Sequence, residues 1–364
     1  MPVGPHRSLR RTTTRGVTTT TRGVTATTRG LTAVAGGLCL SLAAAACSAA
    51  AGPPAQRSAA AGTSAPAPSP TARAPLTLRV TRPAYHLPTA ISREVVLARG
   101  PDLLIIGGIT QQLTTTGTII QLNPVSGRAT RAGQLADPAH DAAGAVLGGR
   151  PYLFGGGDLA ELPTVQALRY RGTAAVAGQL PGPRSDISSV TLGSTAYLVG
   201  GYDGTSWIGA VLATTNGRAF RRVASLPVPV RYAAVAGAGT RIWVFGGLTP
   251  AGNSRVIQQV NLATGKARVV GRMPAAMSAA TAVTLEGRIF IAGGQVTRGG
   301  GALVPSRKVL AYDPVHHRVT TAGRLPVAVT NAAAAVVGGT AFLVGGNNGS
   351  RQVTTVAELR LMAG

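Results

Sequence analysis

The chain has 364 residues, of which 35 are Lys or Arg and 11 are Asp or Glu, giving a formal net charge of +24. Both cysteines, Cys39 and Cys47, precede residue 50, which excludes a disulfide, a thiolate metal site and a cysteine nucleophile from everything downstream. The basic excess favours anionic partners such as lipid headgroups or cell-surface polymers, but 33 of the 35 bases are Arg scattered singly, and nucleic acid is not the expected ligand.

Between residues 12 and 32 the segments TTTRGVT, TTTRGVT and ATTRGLT repeat at seven residues. The heptad has no apolar seam and so predicts no coiled coil; a translation start near Val24 would leave a short basic leader instead. Arg10-Arg11 is followed by threonines, which lack the hydrophobicity a twin-arginine signal needs. Residues 31–46 form an unbroken apolar or small run of 16, short of the roughly 20 that span a bilayer and suited to a signal-peptide core. It ends LAAAACS. This resembles a bacterial lipoprotein signal, which implies lipidation of Cys47 and anchoring to the cell membrane outside the cytoplasm. Ala44 stands where that family prefers Leu, so cleavage after Ala46 and secretion is the alternative. Residues 1–46 are thus expected to be a signal peptide. Residues 47–75, rich in Ala, Pro, Ser and Thr, bury too little apolar area to offset ordering and predict a disordered tether.

From residue 76 to 364 one unit repeats. Leu-Pro, a polar corner, a small-residue strand, a Gly turn and a hydrophobic strand lead to Gly-Gly, as in LPGPRSDISSVTLGSTAYLVGG at 180–201. Nineteen positions join Pro88 to Gly107, Ala136 to Gly155, Pro181 to Gly200, Pro227 to Gly246, Pro274 to Gly293 and Pro326 to Gly345. The double glycines recur at 48, 45, 46, 47 and 52 residues, a period of solenoids and propellers. Four strands are expected per repeat. The first is small (Ala142–Val146, Ser188–Leu192), as strands converging on an axis must be. The second is continuously apolar (LLII, YLVGG, IWVFGG), hence buried on both faces. The third alternates, and the fourth is polar, as an edge should be. The last repeat lacks a fourth strand, which residues 76–80 can supply, closing the ring. The prediction is an all-β, six-bladed β-propeller of four-stranded blades.

Gly-Gly after a hydrophobic strand, then Tyr312-Asp313-Pro314, at these intervals resembles the kelch repeat over residues 76–364. The Trp that family places in the outer strand is replaced by Val319, Phe220 or Ala267. The resemblance implies that the loops after Gly-Gly and the Leu-Pro corners share the ligand face.

Strand direction puts those two loop sets on one face without further help. The fourth and fifth residues after each Pro (or Ala136) then ring the channel mouth. They are Ser92 and Arg93, His140 and Asp141, Ser185 and Asp186, Arg231 and Tyr232, Ser278 and Ala279, Thr330 and Asn331. Arg184 adjoins them, and Asp203 and Trp207 join from a post-glycine loop that also holds Tyr202. Binding is therefore expected at Arg93, His140, Asp141, Arg184, Asp186, Arg231, Tyr232, Asn331, Asp203 and Trp207, with Trp207 suited to stacking on a sugar face. The alternative is that Asp141, Asp186 and Asn331 serve corner hydrogen bonds and Trp207 packs beneath its own loop. His316-His317 sit in a turn on the far face with no third ligand near, so neither a metal nor another cofactor is expected. Residues 295–306, with Gly299-Gly300-Gly301, form the longest loop. The leading expectation is a module binding a protein, peptide or glycan partner. The competing one is sugar acid–base chemistry of mutarotase or epimerase type through His140, Asp141 and Asp186.

Overall fold

The computed structural model describes residues 76–363, and this unit is a β-propeller. The expected signal peptide, Cys47 and the tether lie outside the described residues. Among the described residues helix is confined to one short 3-10 turn, Gly299–Gly301, and no helix is long and apolar enough to cross a membrane.

Each repeat folds as an antiparallel meander because its pattern matches the depth of each strand. The second strands are the most enclosed: Leu103, Leu104, Ile105 and Ile106 are all buried, as are Ile242, Trp243, Val244 and Phe245. Innermost strands Val95–Arg99, Ala143–Leu147, Ser188–Leu192, Ala234–Ala238 and Ala333–Val337 are built mainly from small or β-branched residues. With residues 280–283 they surround a central channel of about 550 Å³. Small side chains are needed there: a Cβ on Gly144 would lie 2.5 Å from Val95 Cγ1 of the neighbouring blade.

The expectation of uniform blades is corrected at two places. The first repeat's sheet takes a fifth strand, Gly172–Thr173 from the following repeat, parallel to Ala129–Gln134. Four sheets stand separately, but the repeats beginning at Pro227 and Pro274 run together as one eight-stranded sheet. A single strand, Lys266–Leu285, pairs with Gly252–Asn261 through its first part and with Arg288–Thr297 through its second. The corner it passes, Pro274 to Met277, is Pro, Ala, Ala and Met, with no polar side chain to turn the backbone.

Double glycines link each repeat to the next. A Cβ on the first glycine would overlap the carbonyl oxygen three residues beyond the next repeat's Pro: Ala139 for Gly107, Arg184 for Gly155, Val230 for Gly200, Met277 for Gly246, Val329 for Gly293 and Ile91 for Gly345. In five of these links the second glycine's N–H donates to that same carbonyl at 2.8–2.9 Å. Only glycine, at φ near +60°, permits this approach.

The link from Gly345 and Gly346 to Ile91 joins the last repeat to the first, and Phe342, Val344 and Val356 pack there against Val96, Leu103 and Ile105. Leu76–Thr81 pairs antiparallel with Val356–Ala363, Leu76 opposite Ala363 and Thr81 opposite Glu358. The first strand thus covers the edge of the last.

Candidate functional site

The corner residues do divide into two sets. Every fourth residue pairs with the residue after a double glycine: Ser92 with Ile109, His140 with Gly157, Ser185 with Tyr202, Arg231 with Leu248, Ser278 with Gln295 and Thr330 with Asn347. These bridges fix corner and loop on one face.

Every fifth residue has a left-handed backbone: φ is 58° at Arg93, 54° at Asp141, 56° at Asp186, 54° at Tyr232, 52° at Ala279 and 54° at Asn331. Asp and Asn tolerate that conformation best, whereas Arg, Tyr and Ala adopt it at a cost of about 1–2 kcal/mol each. The compensation is a run of five backbone hydrogen bonds around the ring. Arg93 N–H donates to Asn331 C=O, Asn331 to Ala279, Ala279 to Tyr232, Tyr232 to Asp186, and Asp141 to Arg93, all at 2.8–3.1 Å. The ring narrows the channel mouth to a recess of about 110 Å³.

Side chains bridge this ring. Arg93 Nη1 donates to Asp141 Oδ2 at 2.9 Å and to the Tyr232 hydroxyl at 3.3 Å, and that hydroxyl donates to the same Asp141 oxygen at 3.1 Å. Arg231 Nε lies 2.8 Å from Asp186 Oδ2 but its N–H is not aimed at that oxygen, so the contact is one of charge. Burial, then repulsion from Asp141, pushes the Asp186 carboxyl up to about 7 against the pull of Tyr232, Arg231 and Arg93. Burial raises Asp141 too, with Arg93 opposing. Burial would lower Arg93, yet Asp141 and Tyr232 leave it above its ordinary value. Tyr232 is raised by burial and by both carboxylates. His140 accepts or donates one hydrogen bond with Thr115 at 2.9 Å, stands 3.7 Å from Asp141, and is lowered by burial and then Arg93.

Arg231 also lies over three rings: Tyr202 at 4.7 Å, Tyr232 at 5.0 Å and Trp207 at 5.7 Å. Trp207 meets Tyr202 edge to face at 5.2 Å and its indole N–H is buried without an acceptor. Its ring stays partly exposed beside Tyr202 and Arg231.

Arg184 requires a correction. It is 3% exposed, its Nε and Nη2 donate to the carbonyls of Gly200 and Ala210 at 2.7 and 2.6 Å, and burial lowers its pKa to about 10. It pins two strands and does not present its charge at the mouth. Asp203 accepts from the N–H groups of Thr205 and Ser206 at 2.9 and 2.7 Å, closing a turn apart from the ring. Asn331 contributes its backbone to the ring as described. On the far face His316 contacts Asp313 at 2.6 Å and His317 the Tyr312 hydroxyl at 2.7 Å, and no metal-holding cluster occurs among the described residues.

Glu94 went unnoticed in the sequence. It lies just below the ring, 6% exposed, in the gap between the first and last repeats, close to Gly108 and Gly345. Neither carboxyl oxygen has a hydrogen-bond partner of good geometry. Burial pushes it up to about 8, only partly offset by the nearby N–H groups of Glu94 itself and Ala333. A signal was present: the sixth position after the Pro is Ala142, Ile187, Ala233, Ala280 and Ala332 elsewhere, so a carboxyl there is out of pattern.

Fold and site together define a β-propeller whose channel is closed at one end by a polar, arginine-bridged ring. No protein-family model matches the chain, and no curated protein is detectably similar in sequence. Among solved structures, one titled "Structure of YjhT" is similar over 76% of this chain and 99% of its own, with TM-score 0.66 and 12% sequence identity. At that identity the likeness establishes the fold and nothing finer.

Proposed function

We propose that this protein is an extracytoplasmic, lipid-anchored propeller of kelch type that binds a protein, peptide or glycan partner at its channel mouth. Six blades are our reading of the repeat, with the eight-stranded sheet taken as two; the change of partner along Lys266–Leu285 supports it. The lipoprotein-like LAAAACS motif at Cys47 supports the location.

The observation that carries the binding reading is the cluster of Arg231, Tyr202, Trp207 and Tyr232 beside the ring. Trp, Tyr and Arg are the residues that dominate interface energetics. The recess beside them, about 110 Å³, is well below the ~300 Å³ at which pockets begin to engulf small ligands. A partner would therefore rest on the mouth and insert only a small group. Screening the full chain on peptide and glycan arrays tests this. Arg231→Ala is expected to lose at least about tenfold in affinity for any hit while the thermal transition persists; undiminished binding would move the site elsewhere.

Acid–base chemistry on a sugar is the second reading, favoured by one observation: Asp186, held near 7, faces a second carboxyl across Tyr232. A group poised near neutrality can both give and take a proton.

A further inference from the structure

We propose that the face opposite the channel mouth docks on an anionic phospholipid bilayer. Two sets of turns make this face. Those between first and second strands carry Arg99, Arg150, Arg241 and Arg288. Those between third and fourth strands carry Arg128, Arg218, Lys266 and Arg318 at their exits, and Arg169 and Arg171 in the repeat between. All ten side chains are exposed. Opposing carboxylates in or beside these turns are Asp102, Glu286 and Asp313 alone among the described residues, and Asp102 is occupied by Gln121 and by Asn123 at 2.8 Å. Seven of the eleven carboxylates of the chain lie instead in the corners and loops of the mouth face. Scattered as the arginines are along the chain, the fold gathers them into one circle.

Two further features choose a bilayer over another polyanion. Turn tips on this face expose apolar groups between the bases: Val125 at 90%, Val315 at 77% and Tyr170 at 54%, with Arg99 and Arg171 flanking the Tyr170 ring at 5.0 and 5.1 Å. Bases alternating with protruding valines and a tyrosine suit a headgroup layer, where cations meet phosphate and apolar tips reach the acyl boundary. The first described strand also begins on this face, where Arg288 Nη1 donates to the Leu76 carbonyl at 2.9 Å.

Full-length protein made in the cytosol, and so without lipid on Cys47, is sedimented with vesicles of phosphatidylglycerol and phosphatidylcholine, with phosphatidylcholine alone, and titrated with duplex DNA. Binding is expected to the anionic vesicles, falling as salt is raised. Reversing Arg150, Arg218, Arg241 and Lys266 to Glu should weaken it at least about tenfold, whereas the same change at Arg272, Arg298, Arg324 and Arg351 should alter it less than about twofold. Val125→Ser with Val315→Ser should weaken vesicle binding severalfold at unchanged charge. Equal loss from both charge reversals, equal binding to neutral vesicles, or DNA binding tighter than vesicle binding would overturn the proposal. Palmitate incorporation at Cys47, scored separately in the native host, tests the anchor without bearing on these outcomes.

Discussion

Buried between Tyr232, Arg231 and the Asp141 carboxylate, Asp186 ionises only near pH 7 in the folded protein, against about 3.9 in an unfolded chain. Because the folded value is the higher one, ionisation opposes folding. The penalty is absent below about pH 4, where both states hold the proton; it grows as pH rises toward 7 and is complete above. Asp186→Asn imitates the protonated acid. Its melting temperature relative to the parent should therefore rise between pH 5 and pH 8, by several degrees if a few kcal/mol are at stake. A difference that stays flat with pH would mean Arg231 already compensates the charge. Glu94 follows the same sign with its window shifted up toward about 8, so Glu94→Gln should gain over the parent mainly between pH 5 and 9, read by the same melting series. Asp186 was legible as a corner residue; its perturbed acidity was not, because that depends on burial and on the Asp141 carboxylate of another repeat.

The first member of each double glycine acts as a clasp between neighbouring blades, which a lone turn glycine does not. At Gly200 a Cβ would strike the Val230 carbonyl of the next repeat, whereas at Gly193, with a similar positive φ of 59°, nothing lies within 4 Å. Gly193→Ala should cost about 1 kcal/mol, the strain of the left-handed backbone alone. Gly200→Ala adds a clash that shifts one blade against the next and should cost at least ~3 kcal/mol, measured by urea unfolding; equal costs would show that the clasp yields easily. The glycines were visible as a period, and strand order from polarity held through most of the chain. What hydrophobic patterning missed was the missing break at Pro274 to Met277, where small apolar residues allow extended backbone to continue.

At the level of the whole molecule, stability rests on closure. Residues 76–81 cover the last strand, and Leu78 and Val80 pack with Val309, Leu343 and Leu359. Deleting them leaves Val356–Ala363 as an open edge, a template for pairing with another chain. The truncated protein is expected to melt more than about 10 °C lower and to associate with rising concentration in analytical ultracentrifugation; an unaltered monomer would show that the strand is an ornament to a ring already closed by Gly346 and Ile91.

The repeat, the strand order within it, the sharing of one face by corners and post-glycine loops, and the pairing of the first strand with the last all follow from residue type and spacing, because each depends on local periodicity and on an edge that must be covered. The circle of left-handed residues, the withdrawal of Arg184 to backbone carbonyls, the buried carboxyl of Glu94 and the segregation of charge between two faces could be decided only by tertiary structure. The ring and the charge pattern relate residues in different repeats, and the Arg184 contacts span 16 and 26 positions; burial, through-space charge and carbonyl contacts of this kind exist only once strands and repeats stand side by side.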